Sequence, residues 1–272
     1  RSPSRGLGDV YKRQDMYNAV RFVKEFSEPA VVGTKHNNPA GIGIGETIDE
    51  AFDKAYACDA TSLFGGIFAL NRPVTKHIAE VLHSFFMEIV IAPEYEEEAL
   101  SILEEKKNLR VIVMPNLSTF SLPKKTVKEV LGGILVQDYD DANLSEEMEV
   151  VSARKPTEEE MRDLLFGFKA VKMVASNGAV LVKDGATLGI GQGEVRRSWA
   201  VEEALSRAEG KLSGAVLASD GFFFNDTVEL LQKNGIRAVI QPGGSVKDPE
   251  VIALCDQYGI ALVMTHIRHF RH

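Results

Sequence analysis

One short pattern occurs twice, and it constrains the fold more than anything else in the chain. Gly41-Ile-Gly-Ile-Gly-Glu46 returns as Gly189-Ile-Gly-Gln-Gly-Glu194, 148 residues later. Ile91-Ala-Pro93 returns as Ile240-Gln-Pro242, 149 residues later. Strand-like runs around Ile67 and Val216, with the helices beside them, keep the same order between these markers. Ordered matches at a nearly constant offset point to two copies of one α/β unit. A cleft between two such units is the ordinary place for a ligand.

Periodicity fills in the elements. Strands are predicted at Pro29–Thr34, Ser62–Leu70, Ile89–Pro93 and Leu109–Met114, then at Gly178–Val182, Gly214–Phe222, Ala238–Pro242 and Ile260–Thr265. Helices are predicted over Asp15–Phe26, Thr47–Cys58, Thr75–Phe86, Glu94–Lys107, Thr157–Val174, Arg197–Ala208 and Thr227–Asn234. Thr157 followed by three glutamates is a helix-start signature. Lys35–Gly41 reads as loop, and both glycine runs read as strand-to-helix turns. Residues 1–14 are basic, poor in apolar residues and without either period; they read as a non-native leader or a flexible arm. The expected organisation is a first unit over 15–120, a connector over 121–156 and a second unit over 157–272. The connector carries short strands around Gly133–Val136 and an acidic stretch from Asp138 to Glu149.

Composition excludes several classes. The 272 residues carry 31 basic and 39 acidic groups, a net charge of -8. That is a poor balance for generic nucleic-acid binding, though a local basic site for an anionic small molecule remains open. No run approaches the roughly 18 apolar residues of a membrane span. Two cysteines, Cys58 and Cys255, make neither a disulfide framework nor a CxxC site, so a reducing cytoplasm is expected.

The glycine runs fail the dinucleotide fingerprint, because its third glycine falls on Glu46 and Glu194. A tight turn whose N–H groups cradle an anion is what remains. Arg196 and Arg197 follow the second run; a guanidinium at a helix start opposes the dipole unless an anion sits there. The alternative is a solvated pair. Lys35-His36 follows a buried strand, where loops carry chemistry. Histidine can serve as a general base, and a neighbouring lysine can stabilise developing negative charge. The alternative is a basic loop pair. Asn177 offers a donor and an acceptor, or simply ends a helix. Phe222-Phe-Phe224 beside Asp220 and Asp226 suits stacking on a heterocycle or core packing. His266-x-x-His269-x-x-His272 matches no zinc pattern, so no metal is expected.

Read together, Lys35-His-Asn-Asn-Pro-Ala-Gly41, Phe64-Gly-Gly66, Ile91-Ala-Pro93, Ser176-Asn177, Ser219-Asp-Gly-Phe-Phe223, Gln241-Pro-Gly-Gly-Ser245 and Arg268-His-Phe-Arg-His272 resemble the AICAR transformylase domain family, in order and over about residues 15–272. That domain is the C-terminal part of bifunctional purine-biosynthesis proteins. The resemblance implies an α/β fold of two tandem cytidine deaminase-like α/β/α units without the deaminase zinc. It implies formyl transfer from 10-formyltetrahydrofolate to the 5-amino group of AICAR, in a cytoplasmic homodimer with shared sites and no nucleic-acid or membrane partner. By the same resemblance, His36 deprotonates the attacking amine and Lys35 supports the leaving nitrogen or the oxyanion. Asn177 orients the carboxamide, and Arg197 holds the phosphate. Gly41, Phe64, Gly65, Asp220, Phe222, Phe223 and the Gln241, Pro242 and Gly243 turn shape the pocket. Arg268, Phe270 and His272 close it.

The chain departs from the family in three places. Ala40 stands where many members carry Cys, and the aromatic run is shorter than the family's F-F-P-F. The cyclohydrolase domain and the family's Arg-Tyr-Gly segment are missing. A non-catalytic fragment that binds nucleotide or dimerises is therefore the alternative reading. A deaminase-like enzyme of other chemistry would need H-x-E and P-C-x-x-C, which the chain lacks.

Overall fold

The computed structural model describes residues 4–142 and 148–272. In chain order the first half contains α1 (Ser4–Val23), β1 (Ala30–Lys35), β2 (Asn38–Ile44), α2 (Ile48–Cys58), α3 (Ala60–Leu63), β3 (Ile67–Leu70), α4 (Lys76–His83), β4 (Ile89–Ala92), α5 (Glu97–Glu104) and β5 (Arg110–Val113). A separate hairpin follows, β6 (Lys125–Val130) and β7 (Gly133–Asp138), then a short edge strand, β8 (Glu149–Val150). The second half contains α6 (Glu158–Val171), β9 (Ala179–Lys183), β10 (Ala186–Gly191), α7 (Arg197–Arg207), β11 (Val216–Ser219), α8 (Asn225–Lys233), β12 (Ala238–Gln241), α9 (Asp248–Tyr258) and β13 (Ala261–Met264).

Eleven strands form one mixed sheet in the order β5-β4-β3-β1-β2-β10-β9-β11-β12-β13-β8. Outward from the central β2–β10 seam, both sides run alike: an antiparallel hairpin, an antiparallel neighbour, then two parallel steps. The seam itself is short. Ala186 pairs with Gly43, and the Thr187 hydroxyl bonds both the N–H (2.9 Å) and the C=O (3.2 Å) of Ile42. One apolar core, under α1 and α6, runs across both halves. On the opposite face each half has its own core, α2, α4 and α5 covering one and α7, α8 and α9 the other.

Local chemistry accounts for the element starts. Thr47, Thr75 and Thr157 each accept a bond from a backbone N–H one turn into α2, α4 and α6, and Glu160 completes a capping box with Thr157. Helix α9 was not anticipated from periodicity. Pro249 in its first turn and Gly259 in the left-handed C-cap are the signals that mark it.

Three sequence expectations are corrected. Helix α1 begins at Ser4, not Asp15; the segment lacks an apolar stripe, yet Lys12, Arg13 and Gln14 are good helix formers. Residues 1–3, and residues 143–147 of the expected acidic stretch, lie outside the described residues. Lys35–Gly41 is not an extended loop: only His36 and Asn37 turn, and β2 resumes at Asn38. The glycine runs are not strand-to-helix turns. Gly41 and Gly43 lie in β2, Gly189 and Gly191 in β10. A Cβ on Gly41 would stand 2.0 Å from the Ala55 carbonyl oxygen, and one on Gly189 2.1 Å from that of Ala204. Glycine here lets α2 and α7 lie directly on the strands. Gly41, expected at the ligand site, is buried in that packing seam.

Candidate active site

Hairpin β1–β2 turns on two residues, His36 and Asn37, with φ of 55° and 65°. A two-residue turn with both φ positive matches the twist of its strands, and Asn tolerates that region best among side-chain-bearing residues. The turn leaves His36 exposed. Lys35, the last residue of β1, donates to the Phe64 carbonyl at 2.7 Å. Beside it, Gly65 (φ 71°) donates its N–H to Phe86 at 2.8 Å, and the exposed Phe64 ring lies 5.6 Å from that of Phe86.

Lys35 and His36 stand on the rim of a cleft of about 210 Å³ that both halves line. Cys58, Asp59 and Ser62 come from the first half; Gly189, Gln192 and Arg207 come from the second. Arg207 reaches across to Asp59 at 3.4 Å. Burial pushes the Cys58 thiol up to about 11, so it stays protonated at neutral pH and is no thiolate nucleophile.

A second cleft, about 650 Å³, opens at the start of α7. Asn177, Arg197, Phe222 and Phe270 line it, joined by Phe224 and Lys247. Arg197 donates to Ser219 Oγ (2.8 Å), to Asn177 Oδ1 (2.6 Å) and to Asp220. Three of its five N–H groups are thus committed. Asn177 gives one of its two Nδ2 N–H groups to the Glu194 carbonyl at 2.7 Å. Gly221 is what admits the Arg197 guanidinium, since a Cβ there would stand 2.2 Å from Nη2.

Several expected pocket residues lie deeper. Asp220 is fully buried and holds Ser176 Oγ at 2.5 Å as well as Arg197, so it supports the cleft from below. Phe223 belongs to the core; alternation along the segment sends only Phe222 and Phe224 outward. Gln241, Pro242 and Gly243 are buried, and Gln241 Oε1 accepts from the N–H of Phe223 (3.1 Å) and Gly243 (3.3 Å). Arg268 lies 5.4 Å over the Phe222 ring and donates to the Gly244 carbonyl at 3.1 Å. Exposed His272 lies 6.0 Å from the Phe270 ring.

The three terminal histidines diverge. His266 meets Glu149 at 3.2 Å, and His269, buried on Phe168, meets Asp140 at 2.8 Å. Burial works to raise the Asp140 carboxyl, but His269 and Lys172 together outweigh it and its pKa is lowered. Sequence reasoning also passed over Asp15 and Arg271. Asp15, buried in α1, accepts the Asn37 N–H at 2.5 Å. Arg271 donates to the Asn37 carbonyl at 2.7 Å. Nothing in local sequence shows either role, although Arg271 lies within the Arg268–His272 run, because each acts on a turn distant along the chain.

Comparison with known proteins gives the family. The model of the AICARFT/IMPCHase bienzyme family matches residues 11–207. The chain is 50% identical over 261 residues to the bifunctional purine biosynthesis protein PurH of Oceanobacillus iheyensis, covering 95% of this chain and 51% of that protein. It is 51% identical over 259 residues to the PurH protein of Caldicellulosiruptor saccharolyticus, covering 95% and 50%. It is 52% identical over 260 residues to that of Clostridium botulinum, covering 95% and 51%. The chain spans about half the length of the curated relatives it matches. Family-model match and half-identical relatives together establish that the chain belongs to the AICARFT/IMPCHase bienzyme family.

Proposed function

We propose that the chain transfers a formyl group from 10-formyltetrahydrofolate to the 5-amino group of AICAR. The observation that carries this reading is the Lys35-His36 pair, held at a tight turn on the rim of a cleft lined from both halves. In the reaction the amine nitrogen attacks the formyl carbon, a C–N bond forms and the bond to the folate nitrogen breaks. His36 accepts the amine proton. Lys35 sets its cation beside the developing oxyanion and supplies a proton to the departing folate nitrogen, so no net proton is consumed. The two uncommitted N–H groups of Arg197 suit a phosphate at the start of α7. Asn177, fixed by Arg197, suits the carboxamide, and the exposed Phe64 and Phe270 rings and the half-buried Phe222 ring are offered to a heterocycle.

The repeated strand order supports two tandem cytidine deaminase-like units, one on each side of the seam. A homodimer with shared sites is supported by two features. Lys35 and His36 line one cleft while Asn177 and Arg197 line another, and the β6–β7 hairpin exposes Val127, Ile134, Leu135 and Val136. Among the described residues no helix is long and apolar enough to cross a membrane.

The test mixes the purified chain with AICAR and 10-formyltetrahydrofolate and follows tetrahydrofolate by absorbance. Turnover that falls by about 10²- to 10⁴-fold in His36→Ala supports the reading. A folded chain that binds AICAR without turnover points instead to a non-catalytic binding fragment. Neither binding nor turnover overturns both.

A further inference from the structure

The twist of hairpin β1–β2 favours positive φ at His36 and Asn37, and bonds around the turn add to that preference and fix where the turn points. Three come from the first half: Asp15 in α1 accepts the Asn37 N–H, Asn18 Nδ2 donates to Asn37 Oδ1 at 3.0 Å, and Asn38 Nδ2 donates to the His36 carbonyl at 3.2 Å. The others come from the far half. The Ala175 N–H donates to Asn38 Oδ1 at 3.2 Å. One terminal nitrogen of Arg271 donates to the Asn37 carbonyl at 2.7 Å; the other donates to the Met173 carbonyl, just past α6, and more weakly to Asn38 Oδ1 at 3.5 Å.

Arg271 is itself anchored. Its N–H donates to Ser176 Oγ and its carbonyl accepts the Ser176 N–H, both at 2.9 Å. Ser176 Oγ donates to Asp220, which holds Arg197. A continuous line of bonds therefore runs from the His36 turn through Arg271 and Ser176 to Arg197, joining the two clefts. The guanidinium lies 5.2 Å over the Phe22 ring and meets no carboxylate at ion-pair distance among the described residues. Desolvating an unpaired cation is unfavourable. A staple for stability alone is better served by a neutral side chain, whereas bridging carbonyls on two separate segments needs the planar fork of arginine.

We propose that Arg271 is a positioning residue, which sets the His36 turn in register with the Asn177–Arg197 cluster. It touches no reacting atom; it fixes where the Lys35-His36 pair points relative to the other cleft. The kinetic part of this proposal rests on the formyl-transfer reading above, and the structural part does not.

The experiment uses the full chain with Arg271→Lys and Arg271→Gln, read in two ways. Amide hydrogen exchange by NMR, without substrates, reports protection of the Asn37 N–H. The expected result is that it exchanges about tenfold faster or more in both variants while core amides of β1 and β3 keep their protection. Steady-state formyl transfer is expected to lose about 10- to 100-fold in kcat with KM for AICAR changed less than about twofold. Lysine fails to rescue because a point charge cannot bridge both carbonyls. Unchanged Asn37 protection in the variants overturns the proposal. So does loss of protection spread equally over the core, which would make Arg271 a global staple. Should the unmodified chain show no turnover, the formyl-transfer reading fails while the exchange measurement still decides the role of Arg271.

Discussion

Asp220 and Arg197 are bonded to each other beneath the larger cleft, the carboxylate fully buried and the guanidinium about one-tenth exposed. The pair ties β11 to the start of α7. Its value depends on both partners being present, because the attraction offsets two desolvation costs. Asp220→Asn leaves the guanidinium buried without its counter-charge and is expected to cost about 3–5 kcal/mol in urea unfolding. Replacing both together, Asp220→Leu with Arg197→Met, is expected to recover most of that stability and, in the formyl-transfer reading, to abolish AICAR binding measured by calorimetry. Full recovery of binding in the double variant would remove Arg197 from the site.

The glycine seams make a sharper packing test. Gly189→Ala forces a methyl group to within 2.1 Å of a helix carbonyl. Neither partner is the loose end of a side chain, so strand and helix must separate. A loss of about 1–3 kcal/mol or more is expected in thermal or chemical melts. Gly133→Ala, where a Cβ meets nothing within 4 Å, serves as control and should stay within about 0.5 kcal/mol.

Asp15 links pH to the His36 turn. Burial raises its carboxyl above the ordinary 3.8, against the opposing pull of the Asn37 N–H and the His36 charge. A raised folded-state pKa means that the folded chain binds the proton more tightly. The contribution is therefore present below the unfolded pKa and is lost as pH rises through the folded value. Relative to Asp15→Asn, the unmodified chain should lose stability as pH climbs from 3.8 through that raised value, and the gap should then level off. Urea midpoints of both chains across that window measure it; parallel curves would mean that Asp15 is not perturbed.

The β6–β7 hairpin stands apart from the main sheet and is exposed along nearly its whole length. Val127 and Val136 pair on one face, while Leu135 lies on the other. An isolated two-stranded hairpin is marginal in water, and exposed apolar patches mark contact surfaces. In the dimer reading Ile134→Glu with Val136→Glu should convert a dimer to a folded monomer by light scattering. A chain that is monomeric before substitution would end that reading.

Much of the framework was legible because its causes are local. Thr47, Thr75 and Thr157 mark helix starts by what a hydroxyl does for the next turn's N–H groups. Apolar runs at Ile89–Ala92 and Ala238–Gln241 mark buried strands, and the repeat spacing placed them in matching order. The Lys35-His36 pair was legible as a candidate because it closes such a strand.

What stayed hidden depends on partners far along the chain. Gly41 and Gly189 read as turn glycines, because the same residue suits a sharp turn and a close helix; only the helix lying over each strand decides which. Phe223 and its neighbours are chemically identical, and the fold alone sends one inward and two out. Asp220 and Arg197 meet across 23 residues, and Arg271 meets Asn37 across 234. From its own sequence this chain determined its α/β class, its doubled plan and the residue types offered for chemistry, since hydrophobic period, capping and spacing act over a few residues. Only the tertiary structure decided which of those residues face a cleft, which are buried beneath it, and which hold the His36 turn, because those outcomes follow from long-range packing and from hydrogen bonds between segments far apart in the chain.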